Sequence, residues 1–240
     1  MWSLVRGVAI AALVVLPTTV ASARPDVDPS ATPAAVSTLA VGPIHSCAVT
    51  ASGGATCWGY NADGRLGNGT TFDSAVPVPV TGLASGVTAI AAGLSHSCAL
   101  TSGGAVKCWG ANNWGQLGNG TTTDSTVPVQ VTGLTSGAIA VATGFGYSCA
   151  INAAGAARCW GHNDTGQLGN GNTTDSSSPV QVSGLTSGIA KISAGSGMLG
   201  HSCAVTTAGA ALCWGANFYG ELGYGTDYPN SFGPVSFSVM

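Results

Sequence analysis

HSCALTSGGAVKCWGANNWGQLGNGT, residues 96–121, carries a pattern that this chain repeats four times: C-x9-C-W-G-x-N-x-x-G-x-L-G. The tryptophans that mark it are Trp58, Trp109, Trp160 and Trp214. Their spacings are 51, 51 and 54 residues, the last stretched by three residues near Ser196 to Met198. A self-similar period of this length belongs to propellers and related arrays, in which one supersecondary unit recurs. Within the quoted stretch a glycine follows the first cysteine by six residues, and Gly53, Gly104, Gly155 and Gly209 hold that place in the four copies. It is the third residue of a three-residue hairpin loop, where a type I turn is closed by one residue at positive φ. Two strands and their register follow. Thr101 faces Ala105, Leu100 faces Val106 and Cys98 faces Cys108. Bonded and non-bonded pairs alternate outward from the turn, so the two cysteines form a non-bonded pair with Cα atoms about 4.5 Å apart, within reach of a disulfide.

The same arithmetic predicts Cys47–Cys57, Cys149–Cys159 and Cys203–Cys213, which uses all eight cysteines. The alternative is eight free thiols acting as small buried hydrophobes. Nine residues between cysteines do not match a zinc knuckle, and no second ligand pair lies nearby in sequence, so no metal is expected. On one side of the hairpin lies VTAIAAG, residues 87–93, with counterparts at 36–42, 138–144 and 188–195. A short apolar run bounded by glycine predicts a strand buried on both faces, and small residues suit the crowded centre of a propeller. On the other side VPVQV, residues 127–131, alternates, and its proline confines it to a sheet edge. Four short strands per repeat make a blade. The predicted fold is all-β, a propeller-like array of four blades of antiparallel strands over residues 36–240.

The first 23 residues read as a secretory signal peptide, with Arg6 as the positive region, an apolar run from Gly7 to Leu16, and Ala21-Ser22-Ala23 as the cleavage signal. That run is too short to span a bilayer, which takes about 20 residues. No membrane insertion is therefore expected once the signal is removed. Residues 24–35, with Pro25, Asp28, Pro29 and Pro33, read as a disordered leader. Export places the cysteines in an oxidising compartment and the chain outside the cell. Charged residues make up only 6% of the chain and the net charge is −3. A basic stripe is missing, so nucleic acid has no electrostatic footprint here, and a polybasic membrane patch is equally unsupported.

The H-S-C-A-L-T…G…W-G-x-N-x-x-G-Q-L-G-x-G-T core of residues 96–121 resembles the regulator of chromosome condensation repeat family, and the resemblance covers roughly residues 36–237. A secreted bacterial-type member fits the composition. The resemblance implies a propeller, usually of seven four-stranded blades. Here there are four repeats, and the fourth departs from the pattern: Tyr224 stands where N-G-T has Asn, and residues 227–232 lengthen a loop. Four blades at the family's angular step make an open arc with uncovered edges. The chain is then a fragment, an oligomer that self-associates through open edges, or a tighter four-bladed ring. In function the resemblance implies nucleotide exchange on a small GTPase for nuclear members and protein binding for extracellular ones, some of them β-lactamase inhibitors.

Most polar residues that recur have structural readings. His45, His96 and His201 precede a first cysteine by two residues, and Tyr147 takes that place in the third repeat. A position filled by either residue type predicts a packed, hydrogen-bonded strand end, and no partner recurs beside it to make a general base. Asp73, Asp124 and Asp175 share one place in T-x-D-S, which suggests a turn or cap rather than the asymmetric acid pair of a glycosidase. Asn61, Asn112, Asn163 and Asn217 are expected to bind turn backbone. Asn61-x-Asp63-Gly64 only partly matches a calcium loop, and no cofactor is expected. What varies between repeats lies just after W-G: Tyr60, Trp114, His162, Phe218 and Tyr219. Aromatics in polar loops on a rigid frame have the composition of a protein-binding surface, unless they pack on the adjacent blade. The expected function is a non-catalytic extracellular scaffold for an unknown protein partner. The alternatives are a glycan-binding propeller, in which those rings stack on sugars, and an exchange regulator.

Overall fold

The chain was analysed as a computed structural model that describes residues 35–227 and 229–237. The segment read as a signal peptide and almost all of the leader lie outside the described residues. Among the described residues sixteen strands form four antiparallel sheets. Blade 1 is β1 (Val36–Val41), β2 (His45–Thr50), β3 (Ala55–Gly59) and β4 (Ser74–Pro79). Blade 2 is β5 (Val87–Ala92), β6 (His96–Thr101), β7 (Val106–Gly110) and β8 (Ser125–Gln130). Blade 3 is β9 (Ala138–Thr143), β10 (Tyr147–Asn152), β11 (Ala157–Gly161) and β12 (Ser176–Gln181). Blade 4 is β13 (Ile189–Ala194), β14 (His201–Thr206), β15 (Ala211–Gly215) and β16 (Ser231–Phe237). Each blade is a meander in chain order, and the proline-bearing strand is the outer edge, as its missing N–H requires.

The turn arithmetic sets the register. Thr101 N–H donates to the Ala105 carbonyl at 2.9 Å, Leu100 pairs with Val106, and Cys98 pairs with Cys108. All four predicted disulfides form, with Cα separations of 4.0 to 4.1 Å, slightly closer than the ideal non-bonded pair. Each bridge joins β2 to β3, or their counterparts, in the middle of its blade.

The inner strands depart from expectation. Their composition predicts burial on both faces, yet β5, β9 and β13 are only half buried, and in β1 Leu39 is 59% and Val41 73% exposed. Four blades form an open arc, so the wall that would line a closed channel faces solvent. The core lies between blades instead. Cys47, Val49, Ala55, Cys57 and Leu66 of blade 1 pack on Val87, Ile90, Ala99 and Trp109 of blade 2. The same arrangement recurs between blades 2 and 3 and between blades 3 and 4.

A polar seam runs through each of these apolar interfaces. The Arg65 carbonyl accepts from Ser97 Oγ at 3.0 Å and from Trp109 Nε1 at 2.8 Å, both from the next blade. Gln116 takes the same bonds from Ser148 and Trp160, and Gln167 from Ser202 and Trp214. His45 Nε2 reaches Ser97 Oγ, and His96 Nε2 reaches Ser148 Oγ, each at 2.8 Å. Because each serine spends its proton on a carbonyl, the imidazole must donate through Nε2, which leaves Nδ1 a buried, unpartnered acceptor. Burial, with the Arg65 charge nearby, lowers the His45 pKa to about 4. Complete burial, then the charges of His45 and Arg65, lowers that of His96 to about 3. In the third seam Tyr147 replaces the histidine: its hydroxyl donates to the His201 carbonyl at 2.5 Å and lies 3.1 Å from Ser202 Oγ. Burial raises its pKa to about 12. Gly67, Gly118 and Gly169 complete the seam. At positive φ they press on the next tryptophan so closely that an added Cβ would lie 2.6 Å from Nε1.

Candidate binding face

Two sets of loops meet on one face of the arc: those joining the first strand to the second, and the long ones joining the third to the fourth. Backbone bonds tie the sets together within each blade. Tyr60 N–H donates to Ile44, Ala111 to Ser95, His162 to Gly146 and Ala216 to Gly200, at 2.9 to 3.0 Å.

Each long loop is pinned from inside. The buried Asn112 side chain accepts from Leu117 N–H at 2.9 Å and donates to the Thr121 and Thr123 carbonyls at 3.0 Å. Asp124 Oδ1 then accepts from Asn112 N–H at 2.7 Å. Asn61 with Asp73, and Asn163 with Asp175, do the same. In blade 4 Asn230 replaces the aspartate, and the Tyr224 hydroxyl takes the place of the lost asparagine by accepting from Asn217 Nδ2 at 3.0 Å. These asparagines and aspartates are therefore loop supports. At the partial calcium motif, Asn61 is fully engaged within its loop, and the Asp63 carboxylate is paired with the Arg65 guanidinium. Among the described residues no cluster of three or more His, Cys, Asp or Glu is placed to hold a metal.

A second support holds the variable residues themselves. In G-x-L-G the x side chain reaches back into its own loop. Gln116 Oε1 accepts from Trp114 N–H at 3.0 Å, Gln167 Oε1 accepts from Thr165 N–H at 3.0 Å, and Glu221 accepts from Tyr219 N–H at 2.9 Å. For Gln116 and Gln167 the same residue's carbonyl anchors the seam, so these two loops are fastened to the inter-blade core. Arg65 is the exception. Its side chain pairs with Asp63, donates to the Leu94 carbonyl at 2.9 Å, and lies 4.8 Å from the centre of the Tyr60 ring.

Of the five residues singled out in the sequence, the structure joins two. The rings of Trp114 and His162, from blades 2 and 3, lie 4.7 Å apart. Phe145, from the short loop of blade 3, joins them at 5.8 Å from Trp114. Trp114 is half buried, so it packs on the adjacent blade and still shows a face to solvent. Gly146 makes room for it: an added Cβ would lie 2.6 Å from the indole. His162 is further held by Gln167 at 3.2 Å and sits 3.6 Å from Asp164. Tyr60 stands apart on blade 1, half exposed over Arg65. On blade 4 Phe218 is half buried, and Tyr219 is 84% exposed.

The sequence reading missed the shorter loops. Ile44, Leu94, Phe145 and the Met198-Leu199 pair put apolar side chains on the same face. The signal was present: each lies just before a repeat's H-S-C or Y-S-C, and the three-residue insertion that stretches the last spacing is where Met198 projects.

The regulator of chromosome condensation (RCC1) repeat matches residues 52–100, 104–151 and 155–205. The chain belongs to the RCC1 repeat family. Each match runs from the hairpin of one blade to the second strand of the next, so one sequence repeat of this family joins a seam's accepting carbonyl to the serine that donates to it. The chain is 35% identical over 191 residues to the ultraviolet-B receptor UVR8 of Arabidopsis thaliana, covering 79% of this chain and 43% of the receptor. It is also 35% identical over 192 residues to the human E3 ubiquitin-protein ligase HERC2, covering 78% of this chain and 4% of the ligase. The chain thus spans less than half the length of these relatives. Among solved structures, human WBSCR16 superposes with a TM-score of 0.75 at 26% identity, covering 85% of this chain and 53% of that one. Yeast RCC1 (Prp20), in its complex with Kap60, gives 0.74 at 22% identity, covering 88% and 50%. These likenesses show the RCC1 propeller fold.

Proposed function

We propose that this chain is an extracellular, non-catalytic scaffold that binds a protein partner through the loop face described above. One observation carries the reading: Trp114, Phe145 and His162 gather across two blades on loops pinned from within. Rigid, half-buried aromatics surrounded by polar loop residues lose little entropy on binding and resemble the anchors of protein interfaces. Ile44, Met198 and Tyr219 extend the apolar character along the arc. Four disulfides agree with an oxidising location outside the cell, as does the signal-like N-terminus. The recurring titratable groups are already engaged in the frame, which supports a non-catalytic role. Asp73, Asp124 and Asp175 accept backbone bonds, and the perturbed His45, His96 and Tyr147 are enclosed in seams.

The test is capture from culture medium by the secreted chain, repeated with Trp114→Ala and with Phe145→Ala. A specific protein partner should bind at least about tenfold more weakly to each variant, the effect of losing an anchor residue. A partner held equally well by both variants would place the binding elsewhere. Retention competed by free sugars would favour the glycan reading, and turnover of a glycoside would overturn the scaffold.

A further inference from the structure

The two ends of the arc carry the two halves of a seam. At the front, blade 1 offers Ser46 and Trp58 at the positions where Ser97 and Trp109, Ser148 and Trp160, and Ser202 and Trp214 donate into a preceding blade. Among the described residues neither Ser46 nor Trp58 has such an acceptor. Trp58 is only partly buried, whereas its three counterparts are fully buried. Around it Val36 and Leu39 are open to solvent, although Val87 and Ile90, which hold their places in blade 2, lie in the core.

The rear of blade 4 is the complement. The Glu221 carbonyl stands where those of Arg65, Gln116 and Gln167 each accept a serine and a tryptophan. His201 stands where His45 and His96 reach a serine of the following blade. Cys203, Val205, Ala211 and Phe237 line an apolar depression. Their counterparts in blade 3, Cys149, Ile151, Ala157 and Val182, are completely buried beneath blade 4. One end thus holds two hydrogen-bond donors in an apolar frame. The other holds the matching acceptor and imidazole in an apolar frame of the same design.

We infer that two copies of this chain associate end to end, blade 1 of each seating on blade 4 of the other, so that two further seams close the ring. The match between the donors of one end and the acceptors of the other supports this occupant. Two copies bring eight blades, one more than the family's usual seven, so the angular step from blade to blade must narrow slightly for the ring to close, and eight stays within the range that propellers adopt. The contact joins different surfaces of the two copies, and two such contacts related by a two-fold axis leave no free end. In each new seam Trp58 Nε1 and Ser46 Oγ donate to the Glu221 carbonyl, and His201 donates to Ser46.

Sedimentation velocity of the disulfide-intact chain from about 1 to 100 μM tests this, a range that resolves micromolar association. The expected result is a species of twice the monomer mass. Trp58→Asp and Val205→Glu, one at each end, should each weaken it at least about tenfold, while their far-ultraviolet spectra stay unchanged. An equimolar mixture of the two variants should recover association, because one of the two seams is then intact. If Trp58→Asp loses its fold, Leu39→Glu, at an exposed place on the same front, takes its part. A monomer at all concentrations, a dimer indifferent to both substitutions, or no recovery on mixing would each overturn the inference. The first is also the result expected if these ends normally receive further blades of a longer polypeptide.

Discussion

Trp109, Trp160 and Trp214 are sealed inside the molecule, and each indole donates to a carbonyl of the preceding blade. Trp58 has the same motif around it and the same place in its sheet, yet it is only partly buried at the front of blade 1. The rear of the arc shows the same contrast. Cys149 is buried and its counterpart Cys203 is not. The motif therefore encodes an interface rather than a residue's surroundings. Each copy carries one half of a seam toward the blade before it and the other half toward the blade after it. Burial comes only where two halves meet.

The sharpest way to break this comparison is to remove an indole at each kind of place. Trp160→Ala empties a filled interior seam and is expected to cost about 3–5 kcal/mol in urea unfolding. Trp58→Ala, measured in dilute solution where the chain is monomeric, should cost about 1 kcal/mol or less, as partly exposed positions do. Equal losses would mean that the front of blade 1 is covered.

The disulfides sharpen the same contrast. Replacing Cys98 and Cys108 together by alanine should lower stability by about 2–3 kcal/mol, the worth of a short closed loop. Under graded dithiothreitol, followed by alkylation and peptide mass measurement, Cys203–Cys213 should open first. It alone has a partly exposed sulfur-bearing residue, and exchange requires access to the sulfur. If the bridges of blades 2 and 3 opened earlier, solvent exposure would not control their reactivity.

Acid probes the polar part of the seams. Folding holds His45 and His96 neutral, with pKa values of about 4 and about 3 against 6.5 in the unfolded chain. As pH falls the unfolded chain takes up protons first. Stability should be complete above about pH 6.5 and decline from there toward pH 4, by about 1.4 kcal/mol per pH unit for each histidine. Denaturant midpoints at pH 7.5, 6 and 5 read this directly, and a flat profile would remove the histidines from the seams. The smallest effect belongs to the loop face. Trp114→Ala should change stability by about 1 kcal/mol or less, since its ring contacts lie outside the seams and a stacked aromatic pair is worth about that much.

The sequence made some of this legible and hid the rest for physical reasons. A three-residue turn ending in Gly104 fixes register, so the Cys98–Cys108 pairing and the outer strand with Pro128 could be read locally. Asp124 could be read as a support because its repetition matched a turn role. The exposure of β1 could not be read, because Val36 and Leu39 have the composition of a buried strand and only a missing neighbour leaves them wet. Phe145 escaped notice because its partner, Trp114, lies on another blade and in another repeat. Arg65 was hidden by the rule it breaks. It stands where two later repeats have Gln, and only the fold shows that it turns to Asp63 and the Tyr60 ring instead of to its loop backbone.

Hydrogen exchange at the tryptophan indoles, followed by nitrogen–proton correlation spectra on a sample that sediments as a monomer, tests the open arc most directly. An open arc requires Trp109, Trp160 and Trp214 to exchange slowly, because each indole proton is bonded inside a seam, and Trp58 and Trp114 to exchange rapidly. A Trp58 indole as protected as the other three, in that monomer, would mean that it already donates to an acceptor such as the Glu221 carbonyl. The four blades would then close on themselves, contrary to the architecture described above.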